Sequence, residues 1–331
     1  MKGKSKKPKA LCLFSGGLDS VLAAEIVRRQ GIEVIALHFV SPFFGNADAC
    51  KKLCEALGIK LMIVELGSDY LEIIRRPKHG YGTALNPCVD CRIYMLKKAK
   101  EVMKKINARF IVTGEVLGQR PMSQNRRALE IIERSAGLTR KILRPLSAKL
   151  LPETEAEKSK LVKREHLFAI SGRRRTEQLK LARKFGIREY LAPSGGCLLT
   201  QREFALKLKD LLEHKKRVDK TDLELLKIGR HFRSGRNKII VGRNEAENEL
   251  LLKMKRKSDY LFEVPNFGSP ITLLQGPKTS ESVMLAAKLT ARYSDCRSRV
   301  VEVRYGRKKP LKKIYVPRAT EEEIESVKII K

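Results

Sequence analysis

The chain has 331 residues, enough for two domains, and its 42% hydrophobic content is typical of a globular protein. A formal net charge of +33 predicts a polyanionic partner, and nucleic acid fits better than a membrane because no basic amphipathic helix dominates. The longest apolar runs are far shorter than a membrane span, so the composition argues against a membrane protein.

Strand-like and helix-like segments alternate along the first part of the chain. An apolar run ends at Phe14, a helix follows over 21–29, and residues 33–39, 60–66 and 109–114 have the composition of buried strands. This alternation predicts an α/β fold with a doubly wound parallel sheet.

The turn after the first strand has the composition of a phosphate-binding loop. Residues 15–20 are Ser-Gly-Gly-Leu-Asp-Ser, and a helix-like segment starts at once. The glycines allow a tight turn that brings amide N–H groups close to an anion, and Asp19 or Ser20 can cap the helix. No Gly-Lys-Ser/Thr follows, so this is not a Walker loop. We predict a pyrophosphate cradle at the C-terminal end of the first strand.

Residues 15–20 resemble the signature of the PP-loop ATP pyrophosphatases, which cleave ATP between the α and β phosphates and adenylate a substrate oxygen. The resemblance implies ATP as a substrate, Mg²⁺ to neutralise its phosphates, and a catalytic role for Asp19. It implies an ATP site made of Phe14, Ser15, Gly16, Gly17, Asp19, Ser20, His38, Thr113 and Gly114.

Seven cysteines without a secretory signal favour a reducing, cytoplasmic compartment over a disulfide framework. Cys12, Cys50 and Cys54 fall on apolar segments and are expected in the core. Cys88 and Cys91 form a Cys-x-x-Cys pair at a predicted helix N-terminus, where the helix dipole favours thiolate.

Cys197 follows Gly195-Gly196 far downstream and completes a possible triad with Cys88 and Cys91. Three interpretations remain open from spacing alone. The thiols hold a 4Fe–4S cluster, or they carry out persulfide chemistry, or they are structural, as plain thiols or as zinc ligands. A structural zinc normally has a fourth protein ligand, for which the available histidines are His79, His166 and His231.

The motifs around these cysteines are similar to those of the tRNA thiouridine synthase (ThiI/MnmA-like) branch of the PP-loop superfamily, over roughly residues 10–200. This resemblance implies catalytic roles for Cys88, Cys91 and Cys197, with the three thiolates as ligands of a 4Fe–4S cluster. It also implies tRNA as substrate and sulfide or a persulfide as sulfur donor. The chain departs from many relatives at Glu115, where they have histidine, and at 117–120, where an Asp-Asp pair is common.

The pattern changes beyond residue 228 to short strands with turns and one helix, which predicts a smaller α+β domain. Motifs within 230–305 resemble the RNA-binding module of the NFACT proteins, although the usual His-Ala before Gly268-Ser269 is missing. A strand-turn-strand there carries basic residues that could contact RNA phosphates: Arg230, Arg233, Arg236 and Arg243.

Together these features predict five segments: a basic tail over 1–9, a PP-loop ATP-binding and sulfur-transfer domain over 10–203, a helical connector over 204–228, an NFACT-like RNA-binding domain over 229–320 and a tail over 321–331. The predicted activity is ATP-dependent tRNA thiolation, with 4-thiouridine at position 8 as the first expectation and 2-thiouridine as the alternative. A lysidine-type or amide-forming PP-loop ligase would leave the cysteines without a task. The alternative of another class is a non-catalytic RNA- or ribosome-binding protein. The oligomeric state stays open.

Overall fold

A computed structural model describes residues 7–191 and 196–330. Most of the predicted basic tail, and Gly195 before Cys197, lie outside these ranges. The chain divides into two compact units, the first ending at Thr200 and the second beginning at Gln201.

The first unit is built on a parallel sheet. Its strands are Lys9–Leu13 (β1), Glu33–Val40 (β2), Lys60–Glu65 (β3), Phe110–Thr113 (β4) and Ile142–Leu143 (β5). Its helices are Leu18–Arg28 (α1), Ala47–Ala56 (α2), Asp69–Arg75 (α3), Cys88–Lys105 (α4), Arg126–Ala136 (α5), Glu155–Lys158 (α6) and Thr176–Phe185 (α7). The predicted α/β fold is confirmed.

The strand order in this sheet is β3-β2-β1-β4-β5. Leu13 at the end of β1 pairs with Leu37 on one side and with Thr113 on the other, both in parallel register. Strands β1 and β2 are buried along most of their length because helices cover the sheet, which explains their nearly continuous apolar sequence. Strands β2 and β3 lie on one side of β1, and β4 and β5 lie on the other side. The strand order therefore switches between β1 and β4, which is the point where open α/β sheets bind ligands.

The second unit is built on a six-stranded sheet in the order β11-β10-β8-β9-β7-β6, in which the paired strands are antiparallel. Its strands are Arg230–Ser234 (β6), Asn237–Val241 (β7), Tyr260–Glu263 (β8), Thr272–Gln275 (β9), Val301–Gly306 (β10) and Lys312–Val316 (β11). Its helices are Arg202–His214 (α8), Lys220–Leu225 (α9), Glu245–Met254 (α10), Ser280–Arg292 (α11) and Glu321–Val327 (α12). The smaller α+β domain is therefore confirmed in class.

Two boundaries differ from those expected from the sequence. Helices α8 and α9, expected as a connector over 204–228, belong to the second compact unit. Residues 321–331, expected as a tail, contain α12, which begins with a capping box at Thr320 and buries Ile324 in the core of that unit. The backbone N–H of Ile329 also donates to the carbonyl of His231 at 3.1 Å. The C-terminal segment is thus part of the domain.

None of the helices in the described ranges has the length and apolarity that crossing a membrane requires.

Ile324→Ala tests whether α12 stabilises the second unit. Ile324 is 3% exposed, so the change leaves a cavity and should lower the free energy of unfolding by about 2–5 kcal/mol. The measurement is the denaturant-unfolding midpoint, with the exposed neighbour Glu325→Ala as control. Equal stability of the two variants would mean that α12 is not an integral part of the core.

Candidate nucleotide and sulfur site

The loop between β1 and α1 has the backbone of an anion cradle. Gly16 has a φ of +78°, a conformation that favours glycine, and Gly17 is the N-cap residue of α1. The expectation that Asp19 or Ser20 caps the helix is wrong, because no side chain among the described residues makes that cap and the Ser20 hydroxyl donates back to the Gly17 carbonyl at 2.8 Å. The N-terminus of α1 therefore keeps its dipole available for an anion.

Asp19 lies in the first turn of α1 and is held by a residue that the sequence analysis did not select. Gln119 Nε2 donates to Asp19 Oδ2 at 3.1 Å. The other carboxylate oxygen, Oδ1, is buried without a hydrogen-bond partner in the described part of the chain. An unpartnered buried carboxylate oxygen beside an anion cradle suits a divalent cation, so these residues fit Mg²⁺.

Gly114 brings the end of β4 against the first turn of α1. A Cβ at this position would lie 2.5 Å from the carbonyl carbon of Asp19 and 2.6 Å from the nitrogen of Ser20. Only glycine permits this approach, which brings the end of β4 against the start of the helix that follows β1. The Thr113 hydroxyl is buried and donates to Glu115 Oε2 at 3.1 Å, so it is used inside the protein.

His38 lies on β2, next to β1. Its Nδ1 is 2.8 Å from the carbonyl oxygen of Phe14, which can only accept, so Nδ1 carries the proton. Burial lowers the pKa of His38 and keeps the ring neutral. Nε2 is then a buried acceptor, with no partner among the described residues. Such an atom can receive a hydrogen bond from a ligand.

Glu115 is the centre of a buried ion-pair network next to the Gly114 turn. It is 2% exposed, and Arg144 Nε donates to its Oε2 at 3.0 Å. Arg92 Nε lies 3.1 Å from its Oε1, and Arg144 also pairs with Glu133. Burial alone would raise the pKa of Glu115, but the two arginines together with the Thr113 hydrogen bond outweigh burial and lower it. Because Arg92 follows Cys91, this network joins the cysteine-bearing helix to the Gly114 turn.

The structure brings Cys88, Cys91 and Cys197 into one region. Cys88 begins α4 and Cys91 is one turn later, while Cys197 precedes a short 3-10 turn. Besides burial, which is the main cause, any negative charge on Cys88 or Cys91 would raise the pKa of Cys197, and charge on any of the three would raise the pKa of Tyr70. The three thiols therefore lie within electrostatic range of one another.

Neutral donors point at two of these sulfur atoms. Asn86 Nδ2 donates to Cys88 Sγ at 3.1 Å, and the Tyr70 hydroxyl donates to Cys91 Sγ at 3.0 Å. Tyr70 is buried among Phe43, Phe44 and Tyr94. Hydrogen bonds to sulfur stabilise thiolates and tune iron–sulfur clusters, so these two donors are compatible with thiolate ligands at Cys88 and Cys91.

The expected lowering of thiol pKa by the helix N-terminus is not what the structure gives for Cys91. Burial raises the pKa of Cys91 to about 11, although the Tyr70 hydrogen bond and Arg92 oppose it. Burial likewise raises the pKa of Cys197 to about 12. A buried thiol becomes a thiolate when a cation binds it, so these cysteines would release protons on binding metal.

Other candidate ligands are used elsewhere. His79 donates its backbone N–H to Asp90 Oδ2 at 2.9 Å, and its Nδ1 is 2.9 Å from Oδ1. His166 is exposed beside Glu165, and His231 lies buried in the second unit. Within residues 7–191 and 196–330, no group of three or more His, Cys, Asp or Glu side chains is arranged to hold a metal ion. The core positions expected for Cys12, Cys50 and Cys54 are confirmed.

The nucleotide cradle and the cysteines lie beside each other. Gln119 donates to Asp19, and the adjacent Arg120 is near enough to oppose slightly the rise that burial causes in the pKa of Cys197. The segment leading to Cys197 starts at the cradle, where Leu191 N–H donates to the Gly16 carbonyl at 2.8 Å. One edge of the sheet therefore carries both groups of residues.

The four arginines predicted to contact RNA differ in the partners of their guanidinium groups. Arg233 forms a two-point ion pair with Asp210, with Nε–Oδ1 at 2.8 Å and Nη2–Oδ2 at 2.5 Å. Arg243 pairs with Glu247, and Arg230 lies over the Tyr293 ring, 4.5 Å from its centroid. Arg236 is exposed in the β6–β7 turn. Two of the four guanidinium groups are thus neutralised within their own domain.

Family comparisons match the two units separately. Residues 5–149 match the family described as thiamine biosynthesis protein (ThiI). Residues 229–327 match the family described as NFACT protein RNA binding domain. The first match lies in the parallel-sheet unit and the second in the antiparallel-sheet unit, so we call the two parts the ThiI-type and the NFACT-type domain after the families they resemble.

Curated relatives match less than half of this chain. A "Probable tRNA sulfurtransferase" of Thermoanaerobacter sp. (strain X514) is 34% identical over 146 residues, which cover 42% of this chain and 36% of the relative. A protein of the same name from Methanocaldococcus jannaschii is 32% identical over 147 residues, again 42% and 36% of the two chains. The match therefore spans little more than a third of these relatives' own length.

Two solved structures show weaker likeness. A predicted subunit of tRNA methyltransferase from Methanocaldococcus jannaschii has a TM-score of 0.31 at 18% identity, covering 41% of this chain and 67% of the other. The C-terminal part of the fibronectin/fibrinogen-binding protein from Streptococcus suis has a TM-score of 0.28 at 17% identity, covering 79% and 94%.

Sequence reasoning missed several residues of the ThiI-type domain that contact the predicted ones. Gln119 lies in the loop after β4, the strand next to β1. Its position after a neighbouring strand was the available signal that it could lie near Asp19. Asn86 precedes the Cys-x-x-Cys pair by two residues, and this closeness in sequence was the available signal. Tyr70 is distant in sequence from every cysteine, so nothing local could have identified it.

Gly114→Ala tests the close approach between β4 and α1. The new methyl group would overlap the backbone of Asp19 and Ser20, so we expect a loss of about 1–3 kcal/mol in unfolding free energy. Gly67→Ala is the control, because its Cβ would meet only the flexible side chain of Asp69, at 3.1 Å. The measurement is denaturant unfolding, and an unchanged Gly114→Ala midpoint would show that this turn can move away from α1.

Proposed function

We propose that this protein is an ATP-dependent tRNA sulfurtransferase that adenylates a uridine carbonyl oxygen and replaces the oxygen with sulfur. The observation that carries the proposal is that one loop approaches both groups, since Gln119 donates to Asp19 and the next residue, Arg120, lies within electrostatic range of Cys197. The ThiI-family match and the names of the curated relatives support the same chemistry.

The first step uses the cradle. The backbone of Ser15, Gly16 and Gly17 and the N-terminus of α1 would bind the phosphates of ATP, while His38 Nε2 would accept a hydrogen bond from the base or ribose. The uridine carbonyl oxygen attacks the α-phosphorus, the bond to the bridging oxygen breaks, and pyrophosphate leaves. Asp19 would hold Mg²⁺ through Oδ1, and the ion, when bound, would neutralise phosphate charge.

The second step uses the cysteines. A sulfur nucleophile attacks the carbon that bears the adenylate, and AMP leaves with the former carbonyl oxygen. Cys88, Cys91 and Cys197 would hold a 4Fe–4S cluster, which when bound would offer an iron site for sulfide. In the alternative, one cysteine carries the sulfur as a persulfide and a second attacks it, forming a disulfide as the sulfur is transferred.

Three finer assignments belong to the same proposal. The ThiI-family match favours 4-thiouridine at position 8, with 2-thiouridine as the alternative product. The NFACT-type domain would dock the tRNA, as the description of its family suggests. All seven cysteines are free thiols, which supports a reducing compartment such as the cytoplasm.

The direct test is an anaerobic reaction of the protein with unmodified tRNA, ATP, Mg²⁺ and sulfide, followed by mass spectrometry of the digested nucleosides. A 4-thiouridine or 2-thiouridine peak identifies the product. If no thionucleoside forms, even after cluster reconstitution, the protein is better described as a non-catalytic RNA-binding protein.

Asp19→Asn should reduce pyrophosphate release by about 100-fold or more, because it removes the charge facing the cation. Affinity for tRNA should not change. Asp48→Asn is a matched control, since Asp48 is an exposed acid in the first turn of α2. Full activity of Asp19→Asn would remove Asp19 from the catalytic site.

Serine variants of Cys88, Cys91 and Cys197 should keep pyrophosphate release and lose thiouridine formation, because only the second step needs sulfur. Cys296→Ala, a change in the buried core of the second unit, is the control. After anaerobic reconstitution, a cluster predicts about four irons per chain in the wild type and loss of iron in each variant. A trapped persulfide with no bound iron would favour the alternative route, and thiouridine formation by all three variants would refute the assignment.

A further inference from the structure

The most basic segment of the second unit lies at the edge of its sheet. Strand β11 is the outer strand, and β10 and β11 form an antiparallel hairpin with Arg304 opposite Lys313. Residues 303–320 contain no Asp or Glu. We name residues 304–315 the basic hairpin, and its charged residues are Arg304, Arg307, Lys308, Lys309, Lys312 and Lys313.

Strands β10 and β11, which carry the basic hairpin, bury one face in the core and expose the other to solvent. Val301, Val303 and Val316 are buried in the core cluster of the unit. The alternating positions carry Tyr315, which is 62% exposed, and Leu311, which is 80% exposed. A tyrosine and cations on the same outer face are not required for folding and indicate a binding surface.

A single carboxylate organises this outer face. Glu302 Oε1 accepts from Arg304 Nε at 3.0 Å and lies 3.5 Å from Lys313 Nζ. Glu302 Oε2 accepts from the Tyr315 hydroxyl at 3.0 Å. The hydroxyl of Tyr315 is thus held by Glu302 while most of the ring stays accessible, and the two cations that share this carboxylate form the next cross-strand pair on the same face.

The tip of the hairpin adds unpaired charge. Lys308, Lys309 and Lys312 are exposed, and none has a carboxylate partner among residues 7–191 and 196–330. The Arg307 guanidinium lies 5.6 Å from the centroid of the Tyr260 ring, and its carbonyl accepts from Lys255. The tip is therefore anchored to the body of the domain rather than solvated on all sides.

We propose that the basic hairpin is the surface on which this protein docks RNA, with its lysines and arginines on backbone phosphates and Tyr315 stacked on an unpaired base. This deepens the proposed function, on which it rests for the identity of the RNA as tRNA. The chemistry fits RNA because cations provide sequence-independent phosphate contacts and an exposed ring stacks on any base. The strand-turn-strand arginines fit less well, since Arg233 and Arg243 are paired with carboxylates.

The first test compares two triple variants of the full chain that remove equal charge. One is Lys308→Ser, Lys309→Ser and Lys312→Ser in the hairpin. The other is Lys209→Ser, Lys220→Ser and Lys253→Ser, which changes exposed lysines of α8, α9 and α10. Affinity for unmodified tRNA is measured by fluorescence anisotropy over a series of salt concentrations.

The hairpin variant should reduce the slope of log affinity against log salt by about 2–3, because each lost phosphate contact removes roughly 0.7–0.9. The control should reduce it by less than about one. Equal slopes and equal dissociation constants for the two variants would overturn the proposal. So would loss, in the hairpin variant alone, of binding to phosphatidylserine vesicles while tRNA binding is kept.

The second test separates stacking from charge. Tyr315→Ala should weaken tRNA binding by about 5- to 100-fold, whereas Tyr315→Phe keeps the ring and should stay within about twofold of the wild type. Equal loss in both variants, or in neither, would refute the stacking contact.

The outcomes also separate this proposal from the proposed function. If the wild type forms thiouridine and the hairpin variants bind tRNA normally, the docking surface lies elsewhere and the function stands. If the wild type binds no tRNA at low salt, both proposals fail.

Discussion

Glu115 is the buried charge on which the arrangement of the site depends. One oxygen of its carboxylate accepts hydrogen bonds from Arg144 and from the Thr113 hydroxyl, and the other forms an ion pair with Arg92. Removing one partner of such a buried network costs about 3–5 kcal/mol, because the remaining charge stays buried and uncompensated. Since Arg92 lies on the cysteine helix and Thr113 on β4, the network holds the sulfur residues and the nucleotide turn in a constant relation.

The environment of the cysteines follows from the same packing. The helix dipole at the start of α4 favours thiolate, but burial of Cys91 has the larger effect and keeps the thiol protonated near neutral pH. The Tyr70 hydroxyl offsets only part of this cost. The neutral donors Asn86 and Tyr70 can stabilise negative charge on the sulfur atoms of Cys88 and Cys91 without forming an ion pair with it. This environment suits thiolates that form when a metal centre binds.

Much of the fold and part of the site could be predicted because their signals are local. The Ser-Gly-Gly-x-Asp-Ser turn, the buried strands and the Cys-x-x-Cys helix start are each encoded in a short segment. Contacts between distant segments could not be predicted, as the bond from Gln119 to Asp19 and that from Tyr70 to Cys91 illustrate. The assumption that Asp19 or Ser20 caps α1 followed residue preference, but the backbone turn places the N-cap at Gly17.

The distribution of carboxylates decides which basic residues of the second unit remain available to a partner. Asp210 and Glu247 neutralise two of the arginines first considered, and Arg256 pairs with Asp219 and Asp222. Such pairs consume positive charge to stabilise the domain, so a count of arginines overstates its attraction for RNA. Where carboxylates are absent, the field persists into solvent and acts on a polyanion before contact. Binding energy gained at such a surface, remote from the reacting atoms, is present in both ground and transition states. Under the proposed function, such a surface would raise the affinity for tRNA, whereas the rate of the chemical step would depend on the geometry around Asp19 and the cysteines.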